Sequence, residues 1–214
     1  MTRNSFDTEL DALHFEVVEM AAHTEKAIEQ AIVALKNNDM LLAQKIIDGD
    51  DLLDDFEKDI EQKCVHIIAT KQPVAKDLRL VTAILKMITD LERMADHASD
   101  ICEIMLSLSK ESPIQIPEEI PLMASIASEM VRNAINAYVH KDIALAHHVI
   151  ERDKEINRYF YAAVAHIQDI MRQDVQMITQ ATNVIFIAKY IERIGDHATN
   201  VAEWAIFNIT GIHE

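Results

Sequence analysis

The chain has 214 residues, of which 50% are apolar and 26% charged, a composition typical of a globular protein long enough to bury a core. Only 3 glycines and 4 prolines occur, which is too little turn chemistry for a sheet protein and too few glycines for a P-loop or a dinucleotide-binding fingerprint. The 36 acidic and 20 basic residues leave a formal charge of −16, which repels nucleic-acid phosphates and anionic lipid headgroups. We therefore expect an all-α protein that does not bind nucleic acid.

Signals of export and membrane insertion are missing from the sequence. The N-terminus carries acids where a signal peptide needs a positive flank and an apolar run, and no stretch approaches the ~20 apolar residues of a membrane span. Cys64 and Cys102 are too few for a disulfide framework and form no CxxC pair, which favours a reducing compartment. We expect a cytoplasmic protein without direct membrane insertion.

Short polar or proline-containing breaks divide the chain into six long segments. The breaks lie at 37–39, 71–77, 112–121, 140–142 and 172–174. Each segment between them predicts a helix of ~22–35 residues, and an aspartate in four of the breaks favours a helix start. Three of the four prolines lie in the central break. The prediction is two tandem three-helix bundles, at 1–111 and 122–214, joined by a linker at 112–121.

Apolar periodicity and an internal duplication support this division. Apolar residues alternate steps of three and four from Ile84 to Leu108 and again from Val184 to Ala205, as in the packed seam of a helical bundle. LERMADHASDICE (91–103) matches IERIGDHATNVAE (191–203) at six of thirteen positions with an offset of 100. Residues 39–50 likewise match 142–153 at an offset of 103. The two bundles are therefore expected to be copies of one unit.

The duplicated segment carries a stripe of acidic side chains. Spacings of four, four and three residues confine the members of each stripe to an arc of roughly 80° on the helix, about opposite the apolar seam. The first stripe contains Glu92, Asp96, Asp100 and Glu103, and the second contains Glu192, Asp196, Asn200 and Glu203. We therefore expect both stripes to face outward, away from the bundle cores.

Repeated like charges suggest that the stripes bind a cation. Carboxylates four residues apart repel one another on a helix, and a metal ion would convert that repulsion into coordination. Oxygen ligands suit hard or borderline ions such as Mg²⁺, Ca²⁺, Mn²⁺, Fe or Zn²⁺. The alternative is an ordinary solvated face, which is also how we interpret Asp48, Asp51 and Asp55, because that set is not duplicated. His97 and His197 lie beside the stripes, where we expect boundary packing or hydrogen bonds to the ligands.

Common catalytic motifs are missing from the sequence. None of the 10 histidines has Glu three residues before it, as a ferritin-like di-iron core needs, and HExxH and GxSxG are absent. Cys64 and His66 lie two residues apart and hence on different faces of a predicted helix. We expect no enzyme, and keep a carboxylate-bridged metalloenzyme and a purely structural helical scaffold as the alternatives.

Residues 71–101 and 189–204 resemble the two repeat signatures of the PhoU family, bacterial regulators of phosphate uptake. The turn at 48–50 and the QPVAKDLR junction fall in the expected order. The resemblance implies two three-helix bundles that form a negative regulator of phosphate uptake and of the phosphate-starvation response. Such a protein is an adaptor between the ATPase subunit of the phosphate ABC transporter and the phosphate sensor histidine kinase, and is expected to form a homodimer.

Several members of this family carry metal clusters at E/DxxxD motifs. In this chain the motifs correspond to Glu92 with Asp96, to Asp96 with Asp100, and to Glu192 with Asp196. The resemblance implies metal ligands at these positions and, in the second repeat, around 200–203, where Asn200 replaces the expected aspartate. The metal could be a divalent or a ferric ion. Acidic stripes would repel phosphate itself unless metal ions bridged the two, so we expect no direct phosphate pocket.

Overall fold

The structure is a computed structural model and describes residues 3–108 and 114–212. These residues form seven α-helices and one short 3-10 turn at Val175–Met177, and they contain no strand. The helices are α1 (Arg3–Asn37), α2 (Met40–Ile47), α3 (Asp51–Lys71), α4 (Ala75–Leu108), α5 (Glu119–His140), α6 (Ile143–Gln173) and α7 (Ile178–Thr210). The prediction of an all-α fold is confirmed.

Aspartates begin two of the helices as the sequence predicts. The Asp39 carboxylate accepts a hydrogen bond from the backbone N–H of Leu42 at 3.0 Å, and Asp142 accepts one from Leu145 at the same distance. Each carboxylate satisfies an N–H that has no partner within its own helix. The two caps occupy equivalent places in the two repeats, so the duplication preserves the signal that starts the helix.

The second predicted helix is broken in two, which corrects the expected count of six. It ends at Ile47 and restarts at Asp51, with Gly49 in the turn between α2 and α3. Glycine has a low helix propensity and aspartates compete for backbone hydrogen bonds, so this turn interrupts the helix. The second repeat has Glu-Arg-Asp at 151–153, and there α6 continues unbroken.

The connection between the repeats is partly helical. Ser112 and Pro113, the first residues of the predicted linker, lie outside the described residues, and 114–118 form no helix. Helix α5 begins at Glu119, so Pro121 lies in its first turn. Proline is tolerated there because the N–H that it lacks would have no partner within the helix. The bundle boundaries placed around this linker stay a prediction.

The centre of the molecule is an antiparallel pair formed by α4 and α7. Asp90, early on α4, contacts His197 at 2.8 Å, while His97, later on α4, stacks on Tyr190 with 5.2 Å between ring centroids. Helix α3 packs against α4 and α1, and α6 packs in the same way against α7 and α5. Each repeat is thus a helical bundle whose outer helix crosses the helix that carries the acidic stripe.

Helices α1 and α5 form the second contact between the repeats and also run antiparallel. The Arg132 guanidinium bonds to Glu25 at 2.8 Å and to Glu29 at 2.6 Å, and further along the pair the hydroxyl of Tyr138 lies 2.9 Å from Nδ1 of His14. Apolar seams on α4 and α7 are buried as predicted. Among the described residues, no helix combines the length and apolarity that a membrane crossing requires.

Candidate metal centre

Three carboxylates converge where α3 crosses the acidic stripe of α4. Asp54, Glu92 and Asp96 each offer an oxygen, and the three oxygens lie within 4.8 Å of one another. Asp50 and Glu57 flank Asp54 at spacings of four and three residues, so the helix presents all three acids on one face. We call Asp50, Asp54, Glu57, Glu92 and Asp96 the α3–α4 acidic cluster. This cluster has the donor set of a site for a hard cation.

Burial of the stripes differs from the sequence prediction. Glu92 is 9% exposed and Glu192 is 8% exposed, so the expectation that both face outward is wrong. The cause is α3 in the first repeat and α6 in the second, which pack across the face opposite the apolar seam. Asp96 is half-buried, whereas Asp196 is exposed as predicted. Each acidic stripe is therefore partly covered by a neighbouring helix, although it would be solvated on an isolated helix.

Burial and mutual repulsion raise the pKa values of three carboxyls in the α3–α4 acidic cluster. Burial, followed by the charge of Asp96, raises the pKa of Glu92 to about 7, and only Arg93 opposes this. Burial and the charges of Asp96 and Asp54 raise the pKa of Asp50 to about 6. The pKa of Asp96 is also raised, mainly by burial. The Glu92 carboxyl is therefore partly protonated near neutral pH unless a cation binds beside it.

Positive charge is scarce around the cluster. Arg93 lies on α4, where its Nη1 is 3.3 Å from Asp96 and its Nε is 3.4 Å from Oε2 of Glu92. The side chain of Arg93 is 55% exposed, so solvent screens its charge. Oε2 of Glu92 is buried and accepts no hydrogen bond from the described residues. A bound cation would take the place of the hydrogen-bond donor that this oxygen lacks.

At the corresponding place in the second repeat, a lysine side chain supplies positive charge. Glu192 and Asp196 lie near Asp153 of α6, and burial, followed by the charge of Glu192, raises the pKa of Asp153. Lys189 forms an ion pair with Glu192, and Asn157 donates a hydrogen bond to Asp153 at 2.7 Å. Within the ranges 3–108 and 114–212, no second trio of potential ligand side chains meets the spacing of the first. The Lys189 ammonium therefore balances carboxylate charge here, as a metal ion would do in the first repeat.

Aligning the repeats shows how this difference arises. At the offset of 103, Asp54 corresponds to Asn157 and Glu57 to Phe160, so two carboxylates are replaced by uncharged groups. At the offset of 100, Lys189 corresponds to Thr89, whose hydroxyl donates to Glu57 at 2.9 Å. The first repeat thus has two more acids and one fewer lysine in the equivalent position. The two stripes are alike in sequence but not in charge balance.

The remaining predicted ligands lie away from the trio. Asp100 bonds to Nδ1 of His97 at 3.2 Å, and the amide of Asn200 donates to Asp90 across the central helix pair at 2.9 Å. His197 shares Asp90 with Asn200. The His97 contact lies within α4, whereas the contacts of His197 and Asn200 with Asp90 join α4 to α7 instead of α4 to α3. Glu203 lies partly buried on α7.

Sequence reasoning missed Asp50, Asp54 and Glu57. It selected Asp48, Asp51 and Asp55, which lie on the neighbouring face of the same segment and were interpreted as solvated. A usable signal was present, because Asp50 and Asp153 are the identical last residues of the matched segments 39–50 and 142–153. Counting four and seven residues onward from Asp50 leads to Asp54 and Glu57.

Thiol chemistry does not contribute to the site. Cys64 and Cys102 are buried and unpaired, and burial raises the pKa of each to about 12. A thiol with that pKa is protonated at neutral pH and is neither a nucleophile nor a metal ligand. The described chain therefore offers hard oxygen donors at its best-formed site, as Mg²⁺, Ca²⁺, Mn²⁺ and ferric ions prefer.

Comparison with known proteins agrees with the duplication and the fold. A family model described as PhoU domain matches residues 17–105 and again 120–205. A Clostridium acetobutylicum protein named phosphate-specific transport system accessory protein PhoU homolog is 38% identical over 99% of this chain and 97% of its own length. A Pseudomonas aeruginosa protein of the same name is 34% identical over 96% of this chain and 86% of its own.

Solved structures give the same result in three dimensions. The crystal structure of PhoU from Pseudomonas aeruginosa superposes with a TM-score of 0.93 at 33% identity, covering 97% of this chain and 100% of that one. The phosphate transport system regulatory protein PhoU from Streptococcus pneumoniae superposes with a TM-score of 0.90 at 26% identity, covering 98% and 99%. With a matching domain in each repeat and relatives that align over nearly its whole length, the chain belongs to the PhoU family.

Proposed function

We propose that this protein is a negative regulator of phosphate uptake and of the phosphate-starvation response. It acts as a cytoplasmic adaptor between the ATPase subunit of the phosphate ABC transporter and the phosphate sensor histidine kinase. The observation that carries the proposal is similarity over nearly the whole chain to proteins named as accessory to phosphate-specific transport. A relative with the same fold is named a regulatory protein of phosphate transport. A protein of this kind signals by contact with its partners.

The proposal includes a metal ion in the first repeat, held by Asp54, Glu92 and Asp96. Their close oxygens and the raised pKa values of Glu92 and Asp96 support it, because a divalent or ferric ion would offset the repulsion. Fe, Zn, Mn, Mg and Ca are all compatible with a carboxylate site. The ion would fix α3 against α4 and so shape the outer face of the bundle on which a partner can dock.

A carboxylate-bridged metalloenzyme is the second candidate, and the same trio is what favours it. The names of the relatives describe accessory proteins, which favours the adaptor. Steady metal-dependent turnover of a phosphate ester by the purified protein, lost on substitution of Glu92, would support the enzyme instead. A homodimer stays a prediction, which sedimentation of the purified chain checks.

Affinity capture from cells grown at high and at low phosphate tests the proposed function. The wild type is compared with the double variant Asp54→Asn, Glu92→Gln and with a control, Asp55→Asn, Glu61→Gln, which makes the same charge change at exposed positions of α3. We expect the transporter ATPase or the sensor kinase with the wild type and the control, and several-fold less with the site variant. Recovery of no phosphate-transport component by any of the three would contradict the assignment.

A further inference from the structure

A cavity of 570 Å³ lies between the two repeats, at the end of the molecule where α4 begins and α5 and α7 end. Its lining comes from α1, α4, α5 and α7 together with Lys141, the residue that caps α5. The lining includes Lys76, Arg79, Lys141 and Asn208. From Arg79 to Asp96 the rise along α4 is roughly 25 Å, so salt screens the α3–α4 acidic cluster at this distance. The cavity is therefore separate from the candidate metal centre.

A buried donor in this cavity lacks a hydrogen-bond partner. Nε of Arg79 is buried and makes no hydrogen bond to the described residues. Asn208, which also lines the cavity, is only 9% exposed. Burying a donor unpaired costs free energy, and native structures usually satisfy it with a ligand or with water. Both groups can donate to an oxygen atom placed in the cavity.

Charges of both signs face the same space. Asp7, Asp11 and Asp77 line the cavity together with the three cationic side chains. His14 lies on the cavity wall, where charges of both signs act on it. Burial and the charge of Lys141 lower its pKa, whereas the charge of Asp11 opposes this shift. The cavity thus combines hydrogen-bond donors with carboxylate acceptors.

The helix ends at the cavity favour an anion. The first turn of the long helix α4 contributes N–H groups that have no partner within the helix, and such a terminus attracts negative charge. The ends of α5 and α7 are capped, since the N–H of Lys141 bonds to the carbonyl of Ala137 and the N–H of Gly211 to that of Phe207. Gly211 has φ +81°, and a side chain there would press on Arg79 at 3.3 Å.

The duplication provides an internal comparison. At the offset of 100, Arg79 corresponds to Thr179, and at the offset of 103, Asn38 corresponds to Lys141. Asn38 and Lys141 adopt the same left-handed backbone conformation at the ends of α1 and α5, with φ values of 53° and 55°. The fold therefore needs neither cation at these positions. Arg79 and Lys141 lie at one end of the molecule, and the equivalent positions of the other repeat carry no positive charge. We therefore expect one site per chain.

We propose that this cavity binds a phosphate-type oxyanion, with Arg79, Lys76, Lys141 and Asn208 as donors and a lining carboxylate as acceptor. The acceptor selects the ligand, because hydrogen phosphate carries an O–H at neutral pH that can donate a hydrogen bond to a carboxylate, whereas sulfate carries none. The choice of inorganic phosphate as the physiological ligand rests on the proposed function, which it deepens. Occupation would join α4 of the first repeat to α5 and α7 of the second, and so tie the relative position of the repeats to phosphate concentration.

Equilibrium binding of radiolabelled orthophosphate to the purified full-length chain, in buffer containing a chelator, tests the proposal. We expect one saturable site per chain that prefers phosphate to sulfate by about tenfold or more. Arg79→Gln and Lys141→Asn are each expected to weaken binding by about ten- to a hundredfold, since each removes a charge-assisted hydrogen bond. The control Lys154→Gln, at an exposed position of α6 outside the cavity, is expected to bind as the wild type.

Three results would overturn the proposal: no saturable binding by the wild type, equal affinity for sulfate, or unchanged affinity in both cavity variants. Circular dichroism establishes that each variant is folded, and Lys141→Asn keeps the residue that the first repeat already tolerates at this cap. Capture of the transporter or the kinase in the experiment above does not depend on this site. Failure of phosphate binding with successful capture would reject the cavity and leave the proposed function standing.

Discussion

Glu92 combines in one side chain the burial, the free oxygen and the raised pKa on which the candidate metal centre depends. It is almost fully buried, carries an oxygen without a hydrogen-bond donor, and has a pKa raised to about 7. A carboxyl in that position is held neutral by a proton or held charged by a cation. Protons and metal ions therefore compete for it, and the outcome depends on pH.

The metal-free protein should lose stability as pH rises through this range. The folded state holds the proton of Glu92 more tightly than the unfolded chain, where the pKa is near its ordinary 4.5. The free energy of unfolding therefore falls as pH rises from about 4.5 to about 7, by on the order of 1–3 kcal/mol. Thermal melts in chelator at pH 5.5 and 8 measure this fall.

The variant Glu92→Gln separates this contribution from the other titrating groups. Glutamine has nearly the same shape and carries no charge, so the fall in stability between the two pH values should be clearly smaller than in the wild type. Saturating metal should reverse the trend for the wild type alone, because deprotonated carboxylates bind the ion and binding stabilises the folded state. Identical pH profiles for the two proteins in chelator would contradict the assigned burial.

At the scale of helices, the crossings of α3 with α4 and of α6 with α7 are two versions of one element pair. Among the positions at which the two crossings differ, Thr89 in the first repeat corresponds to Lys189 in the second, and Asp54 corresponds to Asn157. The double variant Asn157→Asp, Lys189→Thr should therefore recreate the carboxylate trio in the second repeat. We expect metal bound per chain, measured by elemental analysis after equilibration with Mn²⁺, to rise from about one to about two equivalents.

A control with the same change in charge identifies the cause. Asn136→Asp, Lys154→Thr makes the same two replacements outside the helix crossing and should stay at the stoichiometry of the wild type. An unchanged stoichiometry in the double variant at the crossing would mean that the lysine does not stand in for a metal ion.

The sequence predicts these elements better than it predicts their contacts. Local signals locate the helices, because the caps at Asp39 and Asp142 and the seams on α4 and α7 depend on spacing along the chain. Burial of Glu92 depends on where α3 lies, which no local pattern specifies. A helical wheel assigns one buried face to each helix, whereas α4 contacts neighbours on several sides and has its polar stripe covered as well.

At the scale of the whole molecule, the duplication predicts the architecture but not the differences between its copies. Two matching segments suffice to infer tandem bundles. The contact of His197 and Asn200 with Asp90 across the central helix pair could not be predicted, because it joins residues more than 100 positions apart. The cavity at the start of α4 escaped prediction for the same reason, since its lining comes from both repeats.

The central claim is that this protein represses phosphate uptake when phosphate is plentiful. The most direct test is the initial rate of radiolabelled phosphate uptake by cells grown in excess phosphate, with the gene intact, deleted, or replaced by the Asp54→Asn, Glu92→Gln variant. Deletion should raise the rate several-fold, the wild-type gene should restore the low rate, and the variant should restore it only in part. An uptake rate that is the same with and without the gene would contradict the account.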